Sequence, residues 1–217
     1  MKSRRSVLHA RPVSDLHVPS RPALRYPPYR VITEGFIRQA TAAGAEIHLV
    51  DGSAGLVDRV TSLLGDAGAG SASNEFAVCA AASVEGIGPL AGLLAAVPGV
   101  RFDVTRETAS HAAVGITSAD WGVAQTGTLV CDSTAATQRL ASTLPLIHIA
   151  LLPSGRIVPD MAAALSHLDP QKARFIAAIT GPSRTADIER VLTIGVHGPK
   201  RLVILIVQDG NAGDPRP

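Results

Sequence analysis

Residues 202–207 read Leu-Val-Ile-Leu-Ile-Val, six apolar side chains in a row with no polar residue to turn toward water. A strand alternates its side chains between two faces, so such a run must be covered on both sides. That is the position of a central strand in a parallel sheet with layers above and below it. Ile147 to Leu152, interrupted only by His148, makes the same demand. The chain is 46% hydrophobic but only 3% aromatic, so Ala, Val, Ile and Leu must fill its core. At 217 residues it suits a single domain of ordinary size, with an appendage at most.

The first half alternates between two periodicities. Phe36, Ile37, Ala40 and Ala43 recur at helical spacing, with Gly44 as a stop, and Glu46 to Val50 reads as a strand. Leu56, Val57, Val60, Leu63 and Leu64 form a helical stripe that Gly65 can end. Gly68 to Asn74 reads as a small-residue loop, Phe76 to Ala81 as a strand, Leu90 to Val97 as a helix, and Val100 to Val104 as a strand. The alternation predicts an α/β fold with helices on both faces of the sheet. The second half carries the strand-like runs 112–116, 128–132, 147–152, 175–179 and 202–207, with one clear helix from Pro159 to Leu168. Antiparallel or irregular strands are expected there.

The net charge of +2 is unevenly placed. Residues 1–30 hold seven basic residues against the single acid Asp15, together with five prolines, which leaves the remaining 187 residues at −4. The division is therefore a basic, Pro-rich arm over residues 1–30 and a domain over 31–217. The arm lacks the stacking platform or recognition helix that nucleic-acid binding needs, so it reads as a solvated segment lying on its own or a neighbouring subunit of a homo-oligomer. Ser3-Arg4-Arg5 resembles the start of a twin-arginine signal, but His9, Arg11 and Asp15 follow where an apolar stretch is required. No run of 18 apolar residues occurs, so no membrane span is expected. Cys79 and Cys131 lie 52 residues apart in strand-like runs, as buried thiols of a cytoplasmic protein would.

Polar chemistry concentrates in three places. Gln125-Thr-Gly-Thr128 precedes a strand. Thr126 and Thr128 offer hydroxyls there, and Gly127 permits close backbone approach, either to an anionic ligand or within a simple turn. Thr180-Gly-Pro-Ser-Arg-Thr-Ala-Asp-Ile-Glu189 has Ser183 or Thr185 as a helix cap, with Asp187 and Glu189 in the first turn, and Arg184 beside the free amides makes an anion site. Two alternatives stay open: Arg184 pairing with Asp187 or Glu189, and a strand from Val191 to Ile194. His197, in Gly-Val-His-Gly-Pro199, is the candidate proton-transfer group. Its spacing from Asp187 and Glu189 matches no metal motif, so no metal is expected. Gly86-Ile-Gly-Pro-Leu-Ala91 fits a loose dinucleotide fingerprint, but Pro89 removes an amide donor and a glycine-punctuated helix start is the better reading.

Ala119-Asp-Trp-Gly-Val-Ala-Gln-Thr-Gly-Thr-Leu-Val130, Leu144-Pro-Leu-Ile-His148, the Thr180–Glu189 segment and Gly195-Val-His-Gly-Pro199 together resemble the LUD-domain family, and within it the LutC/YkgG lactate-utilization group. The resemblance implies a fold similar to the NagB/RpiA/CoA-transferase superfamily. It also implies a part in oxidising L-lactate to pyruvate beside iron–sulfur partner proteins, with no cofactor in this chain itself. Position 125 is Gln where relatives commonly carry an acid, and an amide cannot serve as a carboxylate nucleophile. The first expectation is thus an accessory subunit that binds a small carboxylate or phosphate anion through Thr126, Gly127, Thr128, Ser183, Arg184, Thr185, Asp187 and Glu189. The alternatives are a free-standing enzyme acting on a sugar phosphate or acyl thioester, and a non-catalytic scaffold.

Overall fold

The computed structural model describes residues 28–69, 75–169, 171–186, 192–194 and 198–208, with 184–186 and 192–194 as backbone alone. Its centre is a six-stranded sheet in the order β1 (Glu46–Asp51), β14 (Arg201–Gln208), β9 (Ile147–Pro153), β6 (Val114–Ser118), β2 (Ala77–Cys79) and β5 (Val100–Arg101). Every neighbouring pair in it is parallel. The two long apolar runs sit side by side in the middle, Leu202 opposite His148 and Ile206 opposite Leu152. At the edge, Arg201 holds Glu46 through two 2.9 Å bonds, which ties the starts of β14 and β1 together.

Strand parity assigns each side chain to a face. Val203, Leu205 and Val207 of β14, Ile149 and Leu151 of β9, and Val114 and Ile116 of β6 pack against Leu56, Val60, Leu63 and Leu64 of α2 (Gly52–Asp66) and Leu90 and Leu94 of α3 (Leu90–Leu94). Leu202, Ile204 and Ile206, with Ala150 and Leu152, face the other way, onto Ile32, Phe36 and Ala40 of α1 (Tyr29–Ala42). On that same side Val78 of β2 meets Ala109 of α4 (Arg106–His111) and Ala141 of α5 (Ala136–Thr143). Helices therefore cover both faces. At about 2 kcal/mol for each large aliphatic side chain removed from water, β14 alone supplies on the order of 10 kcal/mol of the driving force.

A second sheet, β10 (Ile157–Val158), β7 (Trp121–Val123), β8 (Thr128–Asp132) and β11 (Ile176–Ile179), adds to the α1 layer. Its β7–β8 and β8–β11 pairs are antiparallel, as expected for the later strands. Leu129 and Cys131 point into the α1 cluster, while Val123 and Val130 meet Val158 and Ala164 of α6 (Met161–Ser166). Asp160 caps α6 by accepting a 2.8 Å bond from the Ala163 amide.

Several sequence expectations change. α2 passes through Gly65 and closes at Gly68, whose φ of 70° lets Ala69 bond back to Leu64. Residues 83–89 form a hairpin, β3 (Ser83–Val84) with β4 (Gly88–Pro89), in place of a glycine-punctuated helix start, while the helix begins at Leu90 as expected and ends at Leu94. α4, α5 and β7 are additional elements. α4 and α5 each bury a single residue, Ala109 and Ala141, so they lack the apolar stripe that marks a helix in sequence. The helix start expected at Ser183–Thr185 is a strand instead: β12 (Arg184–Ala186) pairs antiparallel with β13 (Leu192–Ile194). α1 begins at Tyr29, just inside the expected arm, and residues 1–27 of that arm lie outside the described residues.

Two glycines allow layers to touch. A Cβ at Gly115 would lie 1.8 Å from the Ala141 carbonyl oxygen, and one at Gly127, where φ is 67°, would lie 2.2 Å from the Ala40 nitrogen. Gly127→Ala and Gly115→Ala are each expected to cost about 3 kcal/mol or more in urea denaturation, because backbone must move to admit the methyl. His148 is fully buried between β6 and the α1 layer, its Nε2 2.8 Å from the Thr117 hydroxyl, and burial lowers its pKa to about 4. The unfolded chain then takes up the proton more readily. Stability is complete above about pH 6.5 and falls as the pH drops toward 4, by about 3 kcal/mol from this group. Denaturation midpoints of wild type and His148→Gln across that window measure it.

Candidate functional site

Loops at the carboxyl ends of parallel strands are where open α/β sheets bind ligands. In this sheet Ser118 ends β6 and Ala119 and Asp120 follow it, Pro153 ends β9 and Arg156 follows it, and the β3–β4 hairpin follows β2. These residues, with Ser83 and Glu85 from the hairpin, line one cleft of about 470 Å³. That is the size of a small-molecule site.

Arg156 ends a single 3-10 turn that leaves β9 at Pro153. Its guanidinium donates from Nε to the Glu85 carboxylate and lies 4.7 Å from the centroid of the Trp121 ring. Trp121 also stacks on His167, with 4.2 Å between centroids. Asp120 begins the β7–β8 hairpin. Its carboxylate accepts the Asp132 amide and its own amide donates to Val130. Burial pushes the Asp120 carboxyl above the ordinary range, and the neighbouring Asp132 carboxylate adds to this, against the Asp132 amide and Arg156. On β6, the Ser118 hydroxyl accepts from the Gln138 side chain at 3.3 Å. The cleft therefore offers a cation, hydroxyl groups and a carboxyl that burial holds above its ordinary range. These are the groups that bind a carboxylate and exchange a proton with it.

The residues singled out in the sequence lie elsewhere. α1 runs from the carboxyl edge, where Tyr29 donates to the Ser154 carbonyl, to the amino edge, where β1 begins. Gly127 and Gly181 press against its far end, at Gln39–Ala40 and Ala43. The Thr126 and Thr180 hydroxyls each lie 2.7 Å from that of buried Thr128. The Thr126 and Gly127 amides both turn back to the Val123 carbonyl. Ser183 donates its amide to Pro199, one residue before Lys200 bonds to Leu146. Thr126, Gly127, Thr128 and Ser183 thus gather at the amino ends of the strands, opposite the cleft. Arg184 and Thr185 belong to β12, and Asp187, Glu189 and His197 lie outside the described residues.

Asp120 and Arg156 were missed, yet each carries a signal: a charged residue within a few positions of the end of an apolar strand. Ala119-Asp120 follows β6, and Ser154-Gly-Arg156 follows β9. The cysteines are buried thiols, as expected, pushed up to about 11 at Cys79 and about 12 at Cys131 by burial. Among the described residues no three His, Cys, Asp or Glu side chains group to hold a metal ion. A carbon-detected NMR titration should find the Asp120 carboxyl midpoint above that of ordinary surface aspartates. A midpoint at or below them would remove Asp120 as a proton carrier.

Comparison with known proteins agrees with this architecture. A crystal structure of a DUF162 family protein from Deinococcus radiodurans superposes with a TM-score of 0.58 at 21% identity, covering 84% of this chain and 99% of the other. Lactate utilization protein C of Halalkalibacterium halodurans is 39% identical over 109 residues, 48% of this chain and 47% of that protein. Its namesakes in a Geobacillus species and in Bacillus subtilis are 42% and 38% identical over 107 residues each, in both cases 46% of this chain and 44% and 45% of the relative. The match spans about half the length of these curated relatives. The LUD domain family matches residues 33–207, nearly all of the described region, and the chain belongs to that family.

Proposed function

We propose that this protein is a component of L-lactate utilization that binds a small carboxylate in the cleft at the carboxyl ends of β6 and β9. One observation carries the reading: Arg156 lines the same cleft as Asp120, Ser83 and Ser118, with ample room for a small acid. A guanidinium matches a carboxylate with paired donors. Asp120 would then sit within reach of the ligand as acid or base. The relatives named lactate utilization protein C support the substrate class. Oxidation of a hydroxy acid releases two electrons, which in this reading pass to iron–sulfur partner proteins, with this chain as the anion-binding accessory subunit. Among the described residues no helix is long and apolar enough to cross a membrane.

The amino-edge group provides a second position for an anion. Thr126, Thr128 and Ser183 would contribute there with Gly127, Arg184, Thr185, Asp187, Glu189 and His197, and His197 would move the proton. What favours it is the continuous line of hydroxyls from Thr126 through Thr128 to Thr180.

Thermal unfolding against L-lactate, pyruvate, sugar phosphates and coenzyme A esters tests both. A ligand at a hundred times its Kd stabilises by about 2.7 kcal/mol, a rise of roughly 5–10 °C for a chain of this size. L-Lactate or pyruvate should give that rise in wild type and in Arg184→Ala, and lose it in Arg156→Gln. Loss in Arg184→Ala alone moves the site to the amino edge. A response confined to sugar phosphates or thioesters replaces the reading with a free-standing enzyme. No response to any of them leaves a protein-binding scaffold.

A further inference from the structure

We propose that Glu85 sets the charge selectivity of the cleft, by occupying the carboxylate seat at Arg156 and admitting monocarboxylates in preference to dianions. The proposal rests on the carboxylate-binding reading of the cleft. Glu85 lies in the turn of the β3–β4 hairpin, and its carboxylate accepts from Arg156 Nε across 71 residues of sequence. Both residues line the cleft. A carboxylate held on that guanidinium is the chemical stand-in for a carboxylate ligand.

The contact is built to be exchanged. The Glu85 and Arg156 side chains keep 58% and 40% of their surface exposed, so water competes for the pair and it is worth only a few-fold in an equilibrium. The hairpin carrying Glu85 has two residue pairs, Ser83 with Pro89 and Val84 with Gly88, and turns through Gly86 and Gly88, both at positive φ. It can release Arg156 at little cost. Arg156 is meanwhile kept in place over the Trp121 ring.

Release does not remove the negative charge. Glu85 remains tethered at the rim, Asp120 faces the same space, and Asp132 lies behind it. Against one cation, Arg156, these carboxyl groups leave the cleft net negative, so a monocarboxylate is held by its bond to Arg156 and each further charge on a dianion adds repulsion. Like charges this close select against the wrong ligand as effectively as attraction selects the right one.

Isothermal titration of the full chain with L-lactate, malonate and inorganic phosphate tests this in wild type, Glu85→Gln, Glu85→Ala and Arg156→Gln, with thermal melts confirming that each variant folds. Wild type should bind L-lactate more tightly than malonate or phosphate. Both Glu85 variants should tighten L-lactate by about threefold to fivefold and malonate by about tenfold or more, narrowing the gap, while Arg156→Gln should abolish binding of all three. L-Lactate binding with an unchanged lactate-to-malonate ratio in the Glu85 variants, or weakened by them, overturns the selectivity role and leaves the carboxylate site standing. Failure of all three anions to bind wild type and both Glu85 variants overturns the site and the proposal together.

Discussion

The two-sided burial of β14 is the constraint from which the rest of the molecule follows. Leu202, Ile204 and Ile206 face one layer while Val203, Leu205 and Val207 face the other, and all six are buried. A strand of this kind can only be central, with its backbone groups paired on both sides. β1 and β9 supply that pairing in parallel register, and parallel neighbours must be joined by crossovers. The crossover segments contribute the covering helices, α2 and α3 on one face and α4 and α5 on the other.

The layer holding α1 also contains a four-stranded sheet, which shares its apolar cluster with the helix. Where that layer meets the strands, spacing is set by missing side chains. Gly115 admits the Ala141 carbonyl and Gly127 admits the α1 backbone at Gln39–Ala40. His148 sits in the same layer, neutral and bonded to Thr117, as a buried polar group must be when no charge is near to pair it.

The cleft owes its chemistry to topology. β6 and β9 are neighbours in the sheet and point the same way, so residues just beyond their carboxyl ends are brought together although 36 positions separate Asp120 from Arg156. The β3–β4 hairpin then adds Glu85 from 71 positions before Arg156. A half-buried acid, a partly exposed cation and a competing carboxylate converge on one opening. None of these groups is unusual alone. Their proximity turns three ordinary side chains into a site for a small acid.

The sequence by itself determined which segments had to be strands with both faces covered, since an unbroken apolar run leaves no side chain for water. It also determined α1 and α2, whose apolar residues recur every three to four positions, and marked Gly127 as a place of close approach. The Thr180–Glu189 and Gly195–Pro199 motifs likewise pointed to the LUD domain family. What Gly127 approaches was decided only by the tertiary structure, where the neighbour is the end of α1 and not an open cleft. The short helices α4 and α5 and the strand β7 were likewise settled by packing, because each is held by one or a few contacts rather than by its own periodicity. The cleft belongs to the same class. Residues along a chain report what they are, but a site depends on which strand ends lie side by side, and that is a property of the sheet order.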